Sequence, residues 1–198
     1  MNLPNRLTVT RLVLAPVFFL WYFVTDVFKI SFIPYSAVLV LIYGLMELTD
    51  LLDGKIARKY NLTTDLGKVM DPFGDVISHL TFFTCFLVSS IMPVWAFIII
   101  LWREFSQSFM RMLLMGKGKP LAANIFGKLK TVFYAVCSVC SITFRIIMVS
   151  GTENSQLYTS VHSIITAFFG LASVFSVLSF VIYVKAVKDS GVLRSMTR

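Results

Sequence analysis

The chain has 198 residues, of which 57% are hydrophobic and only 14% are charged. A water-soluble domain carries about a quarter charged residues, so this composition excludes a soluble globule, a disordered chain and a disulfide scaffold. The net charge of +8 indicates that the polar parts face anionic lipid headgroups or phosphorylated substrates. Nucleic acid is not an expected partner, because the sequence has no long basic run that would follow a phosphate backbone.

Six apolar stretches are long enough to form membrane-spanning helices, which need about 20 mostly apolar residues. They cover roughly 8–24, 33–52, 73–91, 94–115, 126–149 and 157–184. No small-residue cleavage site follows the first stretch, so we expect it to be retained as a helix. The sequence therefore predicts an all-α, polytopic membrane protein with six transmembrane helices in a bundle and a single domain, 1–198.

The basic residues orient this bundle by the positive-inside rule. If the N-terminus is cytoplasmic, only Lys29 and Arg145 lie on the opposite side, and the other sixteen of the 18 lysines and arginines lie at cytoplasmic ends and loops. We therefore expect both termini to be cytoplasmic.

Six of the ten acidic residues lie between positions 47 and 75, at the end of one apolar stretch and the start of the next. Asp50 and Asp53 are three residues apart, and Asp71 and Asp75 are four apart, so each pair lies on one helix face. Two such faces set against each other would gather four carboxylates, which cannot all stay ionised without cations among them. Oxygen ligands with no nearby His or Cys suggest Mg²⁺ or a similar divalent ion, with two ions expected.

Residues beside these aspartates suit a phosphate-bearing ligand. Gly54 would let a ligand approach the backbone, and Arg58 could hold a phosphate by a bidentate contact. Pro72 is compatible with a helix that opens at Asp71. The alternative interpretation is that the aspartates cap helix ends and pair with neighbouring basic side chains at the headgroup level.

The spacing of these residues resembles the signature of the CDP-alcohol phosphotransferases, which have a six-helix membrane bundle, are usually homodimeric and have a site that faces the cytoplasm. The sequence matches all eight fixed positions, which are Asp50, Asp53, Gly54, Ala57, Arg58, Gly67, Asp71 and Asp75. Weaker similarities at 2–11, 102–104, 111 and 127–131 are to members that transfer a phosphatidyl group from CDP-diacylglycerol to glycerol 3-phosphate and release CMP.

The resemblance implies a role for each matching residue. Asp50, Asp53 and Asp71 would hold two metal ions, Mg²⁺ or alternatively Mn²⁺, and Asp75 would be a further ligand and the general base. The residues expected to contact the CDP-lipid are Asn5, Thr8, Gly54, Ala57, Arg58, Thr64 and Gly67. For Asn5 and Thr8 the alternative is that they only cap the first helix.

The phosphate of the acceptor is expected to be bound by basic residues of the fourth and fifth helices, with headgroup anchoring as the alternative. These residues are Arg103, Arg111, Lys128 and Lys130. The expected partners are CDP-diacylglycerol, a small phosphorylated alcohol, the bilayer and a second copy of the chain. The compact length and the lack of a targeting segment indicate a prokaryotic plasma membrane, with an organelle membrane as the alternative.

Two residues depart from the pattern of the glycerol 3-phosphate enzymes and leave the acceptor open. Val76 follows Asp75 where a lysine is typical, and Glu47 is an additional acid. The alternatives within the family are inositol phosphate or serine as acceptor, or transfer of phosphocholine or phosphoethanolamine to diacylglycerol. The cationic headgroup of such a donor would need an aromatic cage. Its candidate residues are Tyr43, Glu47, Trp102 and Phe105.

A cation channel or transporter that uses the aspartates as an ion path is the alternative from a different class. It gives no reason for the spacing of Gly54 and Arg58, and the sequence shows no inverted repeat.

Overall fold

The structure is a computed structural model that describes residues 2–60, 62, 64–115, 125–151 and 155–189. Within these residues the chain is all helical, with six α-helices and no strand, as the sequence predicts. The helices are α1 (Leu3–Phe28), α2 (Phe32–Lys59), α3 (Asp65–Val88), α4 (Val94–Met115), α5 (Ile125–Val149) and α6 (Ser155–Asp189). Helices α1, α2 and α6 extend beyond the predicted apolar stretches, and α3 begins earlier than predicted and ends at Val88.

The chain divides into two compact units. The first contains α1, α2, α3 and the last turns of α5, and α1 packs against both α2 and α3. Aromatic rings join α1 to α3, with Phe18 and Phe82 4.7 Å apart at their centroids and Tyr22 and Phe86 6.0 Å apart. These contacts hold α1 beside the helix that carries the second aspartate pair.

The second unit contains α4, the first part of α5 and α6, and α4 packs against α6. Its buried residues include Ile100, Tyr134 and Phe169, together with several serines. Phe133 of α5 stacks on Phe175 of α6 at 5.0 Å between ring centroids. The buried serines indicate that polar groups are paired inside this unit, as the site below shows.

Helix α3 begins earlier than the apolar stretch at 73–91 predicts. The hydroxyl of Thr64 accepts a hydrogen bond from the backbone N–H of Gly67 at 3.0 Å, which caps the helix before Asp65. Pro72 therefore lies inside α3 rather than in its first turn, so an opening at Asp71, the condition under which the sequence makes Pro72 compatible with a helix, is not met. The cap at Thr64 lets α3 start in polar sequence, where the apolar pattern does not predict a helix.

Four of the six helices are long and apolar enough to cross a membrane by length and composition. They are Leu3–Phe28, Phe32–Ala57, Ile125–Val149 and Gln156–Lys188. Many large apolar side chains on them are exposed, among them Leu20, Ile33 and Ile164. In a membrane such a surface would face lipid, whereas in water it would be costly. Charged residues lower the apolar character of α3 and α4, whose spanning of the membrane stays a prediction.

Candidate active site

The site is built around the first turns of α1. Asn2 caps this helix, since its side-chain oxygen accepts from the N–H of Asn5 at 3.3 Å. Asn5, Thr8 and Arg11 follow at intervals of three residues and are all buried. The alternative that Asn5 and Thr8 only cap α1 is therefore wrong, because Asn2 has that role and the side chains of both residues contact other parts of the chain.

Thr8 joins the two aspartate pairs. Its hydroxyl oxygen lies 2.9 Å from Oδ1 of Asp71 on α3 and 3.2 Å from Oδ2 of Asp53 on α2. A hydroxyl has one proton and can donate to only one of these oxygens at a time. Carboxylates from two helices thus lie on either side of a single neutral donor, which does not balance their charge.

Arg11 supplies the positive charge at this place. Its guanidinium forms ion pairs with Asp50, with Asp75 at 3.0 Å and with Asp53 at 3.6 Å. Its side chain is 2% exposed, whereas those of Asp50 and Asp75 are 41% and 46% exposed. The guanidinium is therefore enclosed, while two of the carboxylates it pairs with are accessible from outside.

The structure thus brings all four predicted aspartates together through Thr8 and Arg11. The sequence indicates that the two aspartate faces meet, but it points to Arg11 only through the positive-inside pattern and the weaker family similarity at 2–11. Arg11 follows Thr8 by three residues, so the two share a face of α1, but the local sequence does not show what this face contacts. Only the packing of α1 against α2 and α3 shows which groups it faces.

A second contact links the predicted CDP-lipid residues of α1 and α3. The side-chain amide of Asn5 donates to the hydroxyl of Thr64 at 3.2 Å. A Cβ atom on Gly67 would lie 2.9 Å from Oδ1 of Asn5 and 3.2 Å from the hydroxyl oxygen of Thr64, so a side chain there would displace this pair. Gly67 is needed for close approach of α3 to the start of α1.

The remaining predicted CDP-lipid residues lie on α2. Gly54 and Ala57 are half-buried in the turns that follow Asp53. Arg58 lies on the same helix, and its side chain is outside the described part of the structure.

The residues after Asp75 explain one departure from the family pattern. Val76 is 7% exposed and packs inside the protein, which suits an apolar side chain better than a lysine. His79 lies one turn further, with Nδ1 2.8 Å from the backbone oxygen of Asp75. The histidine is thus hydrogen-bonded within its own helix.

The four predicted acceptor residues lie on helices of the second unit and differ in their surroundings. Arg103 is buried and donates to Glu104 at 2.8 Å, to Ser179 at 3.0 Å and to the backbone oxygen of Ser176 at 3.2 Å. Lys130 donates to the same Glu104 oxygen at 2.7 Å. Sequence reasoning missed Glu104 as the centre of this network, although an acid beside Arg103 in an apolar helix was a signal.

Arg111 and Lys128 differ from Arg103 and Lys130 in their partners. Arg111 is half-buried on α4 and Lys128 is exposed on α5. Within the described residues neither forms an ion pair, so each is a better candidate than Arg103 or Lys130 for direct contact with an anion.

The aspartate cluster suits a divalent cation by its charge and ligand type. No three acidic, histidine or cysteine side chains among the described residues meet closely enough to form a metal cage by themselves. Four carboxylates nevertheless surround one guanidinium and one hydroxyl, which leaves a net charge of about −3 on formal charges. Carboxylate oxygens are the ligands that Mg²⁺ and Mn²⁺ prefer, so the residues fit such ions.

Comparison with known proteins identifies the group to which the chain is similar. Residues 1–183 match the family model described as CDP-alcohol phosphatidyltransferase. A protein of Treponema pallidum named CDP-diacylglycerol–glycerol-3-phosphate 3-phosphatidyltransferase is 32% identical over 192 residues, 93% of this chain and 88% of its own. A protein of the same name from Aquifex aeolicus is 32% identical over 178 residues, 87% of this chain and 92% of its own. The aspartate geometry and a match along nearly the whole chain agree, and the chain belongs to the CDP-alcohol phosphatidyltransferase family.

Proposed function

We propose that this transferase moves the phosphatidyl group of CDP-diacylglycerol to glycerol 3-phosphate, giving phosphatidylglycerophosphate and CMP. The observation that carries the proposal is the convergence of Asp50, Asp53, Asp71 and Asp75 around the start of α1. The acceptor is inferred from the names of the bacterial relatives, which are similar to this chain over most of its length.

The family is generally dependent on a divalent metal. We propose that Asp50, Asp53 and Asp71 hold two ions, Mg²⁺ or Mn²⁺, and that Asp75 is a further ligand. Bound there, the ions would neutralise charge that develops on the departing nucleotide. Two of these carboxylates are partly exposed and Asp53 is nearly enclosed, so the cluster has an accessible side and an anchored side.

Asp75 is the proposed general base. Its carboxylate takes the proton from the acceptor hydroxyl, whose oxygen forms a bond to the phosphorus that bears diacylglycerol. The bond from that phosphorus to the oxygen of CMP breaks, and CMP leaves with the electron pair. Arg11 lies 3.0 Å from Oδ1 of Asp75 and limits the positions that this carboxylate can adopt.

The CDP-lipid is proposed to contact residues at the start of α1, the end of α2 and the start of α3. These residues are Asn5, Thr8, Gly54, Ala57, Arg58, Thr64 and Gly67. Asn5 and Thr64 are hydrogen-bonded to each other, and Gly67 packs closely against both. These contacts support a common surface for Asn5, Thr64 and Gly67.

For the acceptor phosphate we propose direct contacts from Arg111 and Lys128. Arg103 and Lys130 are also predicted to bind the phosphate. Both donate hydrogen bonds to Glu104, and we propose that they stabilise this region of the second unit. The phosphate of glycerol 3-phosphate is a dianion, and cationic side chains are suited to bind it.

We further propose that all six helices span a prokaryotic plasma membrane as one domain, 1–198, with both termini and the site on the cytoplasmic side, and that the protein is a homodimer. The exposed apolar side chains of the helices support the membrane setting. Four of the basic residues that predict this orientation lie outside the described residues: Lys117, Lys119, Arg194 and Arg198.

A substrate panel tests the reaction. The purified protein in detergent with Mg²⁺ is given CDP-diacylglycerol and one acceptor at a time, glycerol 3-phosphate, inositol phosphate or serine, and CMP release is measured. A further arm offers CDP-choline with diacylglycerol. CMP release is expected only with glycerol 3-phosphate and is expected to stop with a chelator. Turnover of another acceptor alone would refute the acceptor, and no CMP release in any arm would refute the reaction.

Arg111→Ala tests the acceptor site. Loss of one charge-assisted contact costs roughly 1.5–3 kcal/mol, or about a tenfold to hundredfold loss in kcat/KM. We expect that loss for glycerol 3-phosphate with little change in the KM for CDP-diacylglycerol. The matched control is Lys185→Ala, which removes an exposed positive charge from α6. Equal acceptor kinetics in the two variants would contradict the assignment of Arg111.

A further inference from the structure

The position of Arg11 differs from that of an arginine that anchors a helix at the membrane surface. Its side chain is 2% exposed, and its guanidinium pairs with Asp50, Asp53 and Asp75, which come from both α2 and α3. An arginine that anchors a helix at the headgroups keeps its charge in the wet interface. Arg11 instead directs its charge into the aspartate cluster.

The fold keeps space for this guanidinium. A Cβ atom on Gly74 of α3 would lie 3.1 Å from Nη2 and 3.5 Å from Nε of Arg11. A side chain at this position would press on both the guanidinium and the methyl group of Thr8, whose Cγ2 would also be 3.1 Å from the Cβ. Glycine inside a helix costs up to about 1 kcal/mol relative to alanine, and here it leaves room for the arginine between α1 and α3.

Ion pairs hold Arg11 in place, with Nη1 against Asp50 and Nη2 against Asp53 and Asp75. Neither its Nε nor its Nη2 has a hydrogen-bond partner among the described residues, although Nη2 lies 3.0 Å from a carboxylate oxygen of Asp75. The four aspartates carry four negative charges, and Arg11 offsets one of them. The guanidinium faces three of the carboxylates that would ligate metal.

We propose that Arg11 is a built-in counter-ion of the aspartate cluster, which holds the carboxylates together and sets how tightly the site binds divalent metal. This inference rests on the proposed metal-binding role of the aspartates. A divalent ion shares Asp50, Asp53 and Asp75 with a fixed positive charge, so the arginine lowers the affinity for the ion. The same charge relieves repulsion among the carboxylates and stabilises the fold without metal.

The test is thermal unfolding of the purified protein in detergent, titrated with Mn²⁺ and separately with Mg²⁺. For Arg11→Met we expect a lower unfolding temperature without metal than for the unmodified protein. We also expect its stabilisation by metal to reach the midpoint at a metal concentration at least about tenfold lower. Arg11→Lys keeps the charge, so its midpoint should stay within about threefold of the unmodified protein. If the methionine variant does not purify, Arg11→Gln, also neutral, takes its place.

Arg145→Met is the matched control. Arg145 is also a buried arginine of the first unit. Its Nη2 lies 2.7 Å from Oδ1 of Asp26, which is not one of the four aspartates of the cluster. Its loss should lower the unfolding temperature and leave the metal midpoint unchanged. The inference is overturned if the neutral Arg11 variant binds metal as weakly as the unmodified protein or more weakly. It is also overturned if the metal midpoint of Arg11→Lys equals that of the neutral variant. If the unmodified protein itself shows no metal response, the proposed metal site fails instead.

Discussion

Substitution of Glu104 by glutamine is the change whose effect the structure determines best. One oxygen of this buried carboxylate accepts from Arg103 at 2.8 Å, from Lys130 at 2.7 Å and from the hydroxyl of Tyr134 at 2.9 Å. The side chains of Arg103 and Lys130 are 3% and 13% exposed. Glutamine keeps an oxygen at this position but removes the negative charge that faces the buried Arg103 and the partly buried Lys130.

The expected loss follows from the cost of an uncompensated buried charge. Breaking a buried ion pair by removing one partner costs about 3–5 kcal/mol. For a chain of this length, 1 kcal/mol corresponds to about 2–4 °C in the unfolding temperature, so Glu104→Gln should lower it by roughly 6–20 °C.

The assay is thermal unfolding of the purified protein in one detergent, followed by tryptophan fluorescence. Glu47→Gln is the matched control, because Glu47 is half-buried on α2 and forms no ion pair within the described residues. It should change the unfolding temperature by less than about 4 °C, since a partly solvated charge without an ion pair contributes under about 1 kcal/mol. A shift this small for Glu104→Gln would refute the view that Glu104 balances Arg103 and Lys130.

Two further changes test the first unit. Asp75→Asn should abolish turnover but retain measurable binding of CDP-diacylglycerol, because three carboxylates remain to hold metal; loss of binding together with turnover would make Asp75 chiefly a ligand. Gly67→Ala should reduce kcat/KM for CDP-diacylglycerol about tenfold, because the new Cβ would lie 2.9 Å from Oδ1 of Asn5 and displace it. Gly44→Ala is its control, since nothing lies within 4 Å of a Cβ there, and it should keep normal kinetics and gain up to about 1 kcal/mol of stability. Normal kinetics in Gly67→Ala would contradict the role of this close approach.

The helices and the aspartate pairs could be predicted from the sequence because both depend on local spacing. An apolar run of about 20 residues predicts a helix wherever it packs, and residues three or four apart share a face of that helix. The pairs Asp50 with Asp53 and Asp71 with Asp75 are therefore visible in the sequence, and so is the family signature they belong to. Local capping was less visible, and the start of α3 was misplaced because Thr64 caps the helix ahead of the apolar run.

The partners of the buried charges were decided only by the tertiary structure. Arg11 meets aspartates about 40 to 64 residues away, and Arg103 meets Ser176 and Ser179 more than 70 residues away. Nothing in the local sequence distinguishes an arginine that anchors a helix at headgroups from one that neutralises carboxylates inside the protein. That difference depends on which helix faces pack together, because a charge stays buried only where opposite charges from other helices surround it.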